Sequence, residues 1–124
     1  MSLNNISLED KMRIIQEIVP GKQITLAHII ANPDPILYKK LGLDPKIDYK
    51  GSAIGILTVS PAETAIITAD IAIKSSGALL GFVDRFSGTL IITGTVSQVE
   101  AAFADISDYS KNKLGFAVCD ITKT

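Results

Sequence analysis

The sequence predicts an α+β fold built on a ferredoxin-like split βαββαβ unit. Three features predict it: two helix starts with capping signatures, four short runs rich in β-branched residues around them, and a link of only four residues between the middle two runs. The first run, Ala53–Val59, leads into Ser60-Pro61-Ala62-Glu63. There a capping serine, a proline in the first helical position and a following glutamate would satisfy the orphan amides of a helix start. The helix predicted from Pro61 to about Ser76 closes at Gly77, a residue type suited to a left-handed C-terminal position. Leu79–Asp84 and Thr89–Thr93 follow as strands, and Arg85-Phe86-Ser87-Gly88 is short enough to join them as a hairpin. Thr95 and Gln98 repeat the capping box for a second helix that runs to about Lys113 and stops at Gly115, and Phe116–Ile121 reads as the closing strand.

Upstream of this unit, Met12–Val19 and Gln23–Ile30 read as extended segments hinged at Pro20-Gly21. A short helix over Pro35–Leu41 follows the turn at Asn32-Pro33-Asp34, and Gly42–Ser52 reads as a loop leading into the main unit.

At 124 residues the chain fits one domain with a core of its own. A formal net charge of −1, with no cluster of Lys and Arg among aromatics, argues against nucleic acid as a partner. Cys119 is the single cysteine, which precludes an internal disulfide and fits a reducing cytosol. No apolar stretch is long enough to span a bilayer, and Met1–Lys11 is too polar for a signal peptide, so the expected location is cytoplasmic with no membrane partner.

No catalytic, cofactor or metal site is predicted. His28 is the single histidine, and its apolar setting in a strand reads as a structural residue hydrogen-bonded at a strand edge. Cys119 reads as a small buried hydrophobe in the closing strand, and the glycine spacings match neither a dinucleotide fingerprint nor a phosphate loop. Asp84, Arg85 and Asp120 could form a polar cluster.

On a helical wheel, Ala62, Ala65, Ile66, Ala69, Ala72 and Ile73 fall on one face, expected to pack on the sheet. Ile67 and Ile71 lie on the opposite arc among Glu63, Asp70 and Lys74. They are an incidental exposed pair, a pair covered by the N-terminal segment, or a subunit contact. The apolar composition and the abundance of small residues favour self-association, to which burial of two isoleucines would contribute about 3–6 kcal/mol before association costs.

Four strings carry a family resemblance: Arg13–Lys22 (RIIQEIVPGK), Thr25–Ile30 (TLAHII), Gly81–Gly88 (GFVDRFSG) and Cys119–Lys123 (CDITK). From about Asp10 onward the chain resembles the circularly permuted bacterial microcompartment shell proteins, most closely those of the ethanolamine-utilisation type, with the propanediol-utilisation type near to them. The resemblance implies an N-terminal extension over residues 1–22 and a permuted shell domain over 23–124. It implies a structural, non-enzymatic subunit that forms a homo-hexamer and tiles with other shell proteins around an ethanolamine-utilisation-type pathway, meeting encapsulated enzymes or targeting peptides. Ile14, Ile15, Gln16, Glu17, Ile18 and Val19 would supply a strand to an axial β-barrel that plugs or gates the central pore. Lys74 would be an edge contact between hexamers, with Asn32 standing where an edge arginine is usual. Asp84, Arg85, Phe86, Ser87 and Gly88 would form the pore loop, bulkier at Arg85 and Phe86 than the usual tip. A ferredoxin-like oligomer that binds a small regulatory ligand is the competing function.

Overall fold

The computed structural model describes residues 21–124. Its elements in chain order are β1 (Gln23–Ile30), α1 (Ile36–Lys40), β2 (Ala53–Ser60), α2 (Thr64–Ser76), β3 (Leu79–Asp84), β4 (Thr89–Gly94), α3 (Val96–Asn112) and β5 (Thr122–Lys123). The strands form one mixed sheet in the order β3-β4-β2-β1-β5. β1 runs antiparallel to β2 from Gln23↔Ser60 to Ile30↔Ile54, while β5 adds a short parallel edge at His28↔Thr122.

Side-chain alternation divides the sheet into two faces. Ala53, Leu57 and Val59 of β2, with Ile24, Ala27 and Ile29 of β1, pack beneath Ala65, Ala69 and Ala72 of α2 and Val99, Phe103 and Ile106 of α3. Ile54 and Ile56 point the other way and join Leu43, Tyr49, Ile91, Leu37 and Phe82 in a second core under α1 and the loop after it. The segment between β1 and β2, which the sequence marked only as a short helix and a loop, is therefore the cover of the second sheet face. Tyr38 stacks on Tyr49 with ring centroids 5.5 Å apart and donates its hydroxyl to the Ser52 carbonyl at 2.5 Å, fastening that cover to the start of β2.

Four expectations need correction. First, Phe116–Ile121 is not a strand: it makes one isolated bridge, Gln23↔Ala117, and Cys119 lies half-buried outside any strand. The edge of β2 that a closing strand would need is already hydrogen-bonded to β1 along its whole length. Second, the sheet is not a barrel. Closure requires the first and last strands to pair; here β3 and β5 are the two open edges, separated by three strands, and β5 is only two residues long. The barrel-strand residues Ile14, Ile15, Gln16, Glu17, Ile18 and Val19 lie outside the described residues. Third, the capping box at the first helix does not form. Ser60 is the last residue of β2, the helix begins at Thr64, and Glu63 in the cap position makes no side-chain bond. Thr64 N–H instead bonds the Pro61 carbonyl at 3.0 Å, and Ala65 N–H that of Ala62 at 3.0 Å. The second box does form: Gln98 N–H donates to Thr95 Oγ1 at 3.1 Å and Thr95 N–H to Gln98 Oε1 at 2.9 Å.

The fourth correction concerns the wheel of α2. Thr64, Ala65, Thr68, Ala69 and Ala72 are its buried residues, whereas Ile66 and Ile73, expected in the core, are about half exposed at 51% and 50%. The inward face is built of small side chains because α2 packs closely on α3 and the sheet, and Thr68 joins it by returning its hydroxyl proton to the Ala65 carbonyl at 2.8 Å. Large isoleucines are left for the outer arc.

Close packing also decides Gly55. A Cβ there would come within 2.6 Å of Val99 Cγ1 and 2.8 Å of Phe103 Cζ, so the absence of a side chain lets α3 lie on β2. Gly55→Ala is expected to destabilise the fold by about 2 kcal/mol through overpacking. This should lower the midpoint of thermal unfolding, followed by circular dichroism, by roughly 5–10 °C; an unchanged midpoint would show that α3 can lift from the sheet at little cost.

Candidate assembly and pore surfaces

The loop from β3 to β4 is set by the register Asp84↔Thr89, which leaves Arg85–Gly88 to make the turn. Gly88 adopts φ +76° with its Cα against the Val59 carbonyl, where any Cβ would collide. Its backbone is fixed at both ends: Gly88 N–H donates to the Asp84 carbonyl at 2.9 Å, and Val59 N–H donates to the Gly88 carbonyl at 2.9 Å. The Asp84 carboxylate closes the turn from inside. Its Oδ1 accepts Phe86 N–H at 2.9 Å and its Oδ2 accepts the Ser87 hydroxyl at 2.8 Å. The Phe86 amide first, then the Ser87 hydroxyl, hold the Asp84 carboxyl below the usual carboxylate range.

Two side chains remain on the outside of this turn. Phe86 is 81% exposed, and the Arg85 guanidinium carbon sits 5.0 Å from its ring centroid. The cluster of Asp84, Arg85 and Asp120 does not assemble: Asp84 is engaged by its own loop, and among the described residues Arg85 forms no ion pair. Asp120 is exposed in the stretch before β5.

On α2, Ile67 is 44% exposed, as the sequence placed it, whereas Ile71 is half-buried and packs against the main core. The exposed apolar arc is therefore Ile66, Ile67 and Ile73. Alternation of large and small residues along the helix was the signal that could have found it, since three alanines and two threonines suffice to fill the inner face. Lys74 lies in the last turn and pairs with Asp70 at 2.8 Å, an i,i+4 contact with both side chains mostly in solvent. Such a pair adds little to stability, so its lysine exchanges partners readily. Asn32 is exposed in the bend after β1 and lines an open cleft with Pro33, Tyr38, Lys39 and Tyr49.

His28 has the structural role expected of it. Its Nδ1 lies 2.6 Å from Thr122 Oγ1 and its Nε2 2.9 Å from Thr124 Oγ1, so both ring nitrogens fasten β5 to β1 and neither is bonded to Cys119. Lys123 adds an ion pair to Glu100 of α3 at 2.8 Å. Among the described residues no group of three or more His, Cys, Asp and Glu side chains could hold a metal ion, and no helix is long and apolar enough to cross a membrane.

Comparison with known proteins adds findings of three kinds: a family model, relatives in sequence and solved structures. A family model described as the BMC domain matches residues 53–121. The chain is 51% identical over 112 residues to the bacterial microcompartment shell protein PduU of Salmonella typhimurium, covering 90% of this chain and 93% of that protein. It is 50% identical over 112 residues to the shell protein CutR of Streptococcus intermedius (90% of this chain, 92% of that one). It is also 47% identical over 115 residues to the shell protein EutS of Escherichia coli (93% and 99%). Among solved structures it resembles CutR as a flat hexamer, with a TM-score of 0.78 and 48% identity over 90% of this chain and 99% of that one. CutR in a screw form of 41.9 Å pitch matches with a TM-score of 0.77 and 47% identity over 85% of this chain and 100% of that one.

The loop geometry makes a pH-dependent prediction. Because the folded state depresses the Asp84 carboxyl, the order it imposes on the turn is present above the ordinary carboxyl value of 3.8 and is lost as the pH falls through the lower folded value. Nuclear magnetic resonance should show the Phe86 amide and the Asp84 carboxyl titrating together with a midpoint below 3.8. A midpoint at or above that value would mean that the carboxylate does not hold the turn.

Proposed function

The chain belongs to the bacterial microcompartment shell-protein family, and on that footing we propose that it closes into cyclic hexamers that tile edge to edge, with other shell proteins, around an ethanolamine-utilisation-type pathway in the cytoplasm. The role of such a subunit is structural and not catalytic. The observation that carries the proposal is the fold match to CutR, a chain of nearly half the same residues that is solved as a flat hexamer. The ethanolamine type rests on the likeness to EutS, which runs over 93% of this chain. Lumenal enzymes or their targeting peptides are the partners that a shell wall would meet inside. A plug made by an axial barrel forms no part of the proposal.

Within the hexamer we assign the outer arc of α2 to contact with a neighbouring subunit. Ile66, Ile67 and Ile73 each keep about half their surface in water. Covering what remains would contribute on the order of 3 kcal/mol per subunit, enough to matter when repeated around a closed ring. Ile71, already half-buried, supports the same arc from beneath. Lys74, beside that arc, and Asn32, in the bend after β1, are assigned to the hexamer edge, where Lys74 would exchange its solvated pairing with Asp70 for a contact on the next tile. The Asp84–Gly88 loop is assigned to the axis.

These roles separate on mutation. Ile67→Asp is expected to shift the mass measured by light scattering from hexamer to monomer while the circular dichroism spectrum stays native. A hexamer of undiminished stability in that variant would remove Ile67 from the subunit contact. Lys74→Asp is expected to leave the hexamer intact and abolish extended sheets in electron micrographs; sheets as extensive as those of the unaltered protein would exclude Lys74 from the edge.

A further inference from the structure

The two ends of the sheet have different neighbours. The loop assigned to the axis joins β3 and β4 at one end, where Asp84 pairs with Thr89 and β2 finishes at Ser60. At the opposite end β1 finishes at Ile30, opposite Ile54, and β3 begins at Leu79, opposite Thr93. The helix α2 also finishes there, because only Gly77 and Ala78 separate Ser76 from Leu79. Lys74 in the last turn of α2 and the bend Asn32-Pro33-Asp34 after β1 therefore share the end of the subunit that faces away from the axis.

This end carries a carboxylate that its own surroundings leave uncompensated. Asp34 is exposed, and its Oδ1 accepts Ile36 N–H at 3.0 Å, which orients the carboxylate and leaves it acceptor capacity for a cation. Among the described residues Asp34 forms no ion pair, and no basic residue lies within four positions of it in sequence. Asp44 and Asp48 make the same kind of turn but differ in this respect: Lys46 follows the first, and Lys46 and Lys50 flank the second. We propose that Asp34 receives Lys74 of a second copy of this chain in the next hexamer, so that the edge between two tiles closes on reciprocal ion pairs. The inference rests on the assignment of Lys74 to that edge and adds the group that the lysine meets. A two-fold axis between tiles makes the contact isologous: each Lys74 reaches the other copy's Asp34, and every edge carries the pair twice. One exposed pair is weak, whereas two on each of six edges add up across a lattice and are screened by salt.

Charge exchange tests this pairing separately from the edge itself. Asp34→Lys, which faces Lys74 of the next tile with a like charge, is expected to keep the hexamer mass in light scattering and to abolish sheets in electron micrographs. The double variant Asp34→Lys with Lys74→Asp restores the attraction with its signs reversed, and sheets should return. Asp34→Asn keeps an acceptor for the Ile36 amide. It should raise the protein concentration at which sheets form by about tenfold at low salt, and by little at high salt, where the pair is already screened. Should Asp34→Lys not form hexamers, the onset in Asp34→Asn decides alone. Undiminished sheets in Asp34→Lys, a double-variant hexamer that does not tile, or an unchanged onset in Asp34→Asn would overturn the pairing, while loss of sheets in Lys74→Asp would still keep that lysine at the edge. Sheets that persist in Lys74→Asp would instead remove the edge assignment and this inference with it.

Discussion

The pairing of β1 with β2 is the constraint on which the rest of the molecule depends. It fills the sheet position that the split βαββαβ plan reserves for the last strand, and it does so with a segment that comes before the plan begins. The consequences run in both directions along the chain. After β1 the backbone must return to the start of β2, and the residues that make this return wrap the far face of the sheet with Leu37, Leu43 and Tyr49. At the other end, residues 116–121 are left without a partner edge, bridge once at Ala117, and let β5 settle on the outer side of β1. His28, in the middle of this contact, ties the late strand to the early one through two threonine hydroxyls.

A second constraint follows from how tightly the helices sit. Gly55 in the centre of β2 admits α3, and the alanines of α2 admit α3 and the sheet, so the main core is thin where the two helices meet it. Under α2 itself the space admits only alanine and threonine, while Phe103, Ile106 and Leu57 fill the rest of the core. This is why a helix rich in isoleucine buries alanine: the isoleucines would need the space that the close approach removes. Apolar surface on α2 is thus a by-product of efficient packing within the chain, and an assembly can make use of it at no cost to the fold of the subunit.

Much of this was legible in the sequence, and the failures share a cause. The strands at 79–84 and 89–94, the hairpin between them and the box at Thr95 and Gln98 are set by interactions within a few residues, which sequence records directly. Ser60, Ile66, Ile73 and Phe116–Ile121 were misplaced because a distant segment decides their setting. Ser60 reads as a cap until Gln23 pairs with it and keeps it in a strand. Phe116–Ile121 reads as a strand until β1 takes its edge. The wheel of α2 gave the right residues for solvent at Ile67, yet weighed isoleucine above threonine for the core, and the hydroxyl of Thr68 had a local acceptor that made its burial inexpensive. The barrel was inferred from family likeness alone, and the open sheet of the described residues does not form one.

What distinguishes the three surfaces assigned to assembly is that the fold leaves each incomplete in a different way. Among the described residues the α2 arc has apolar area without a cover, Lys74 has a partner that solvent competes for, and Arg85 has a ring beneath it but no ion pair. Inside the subunit the corresponding needs are met: Asp84 has its donors, Thr68 its acceptor and Lys123 its glutamate. A neighbouring copy can supply apolar cover, and an edge can supply a new partner for a lysine, because both are properties of protein surfaces.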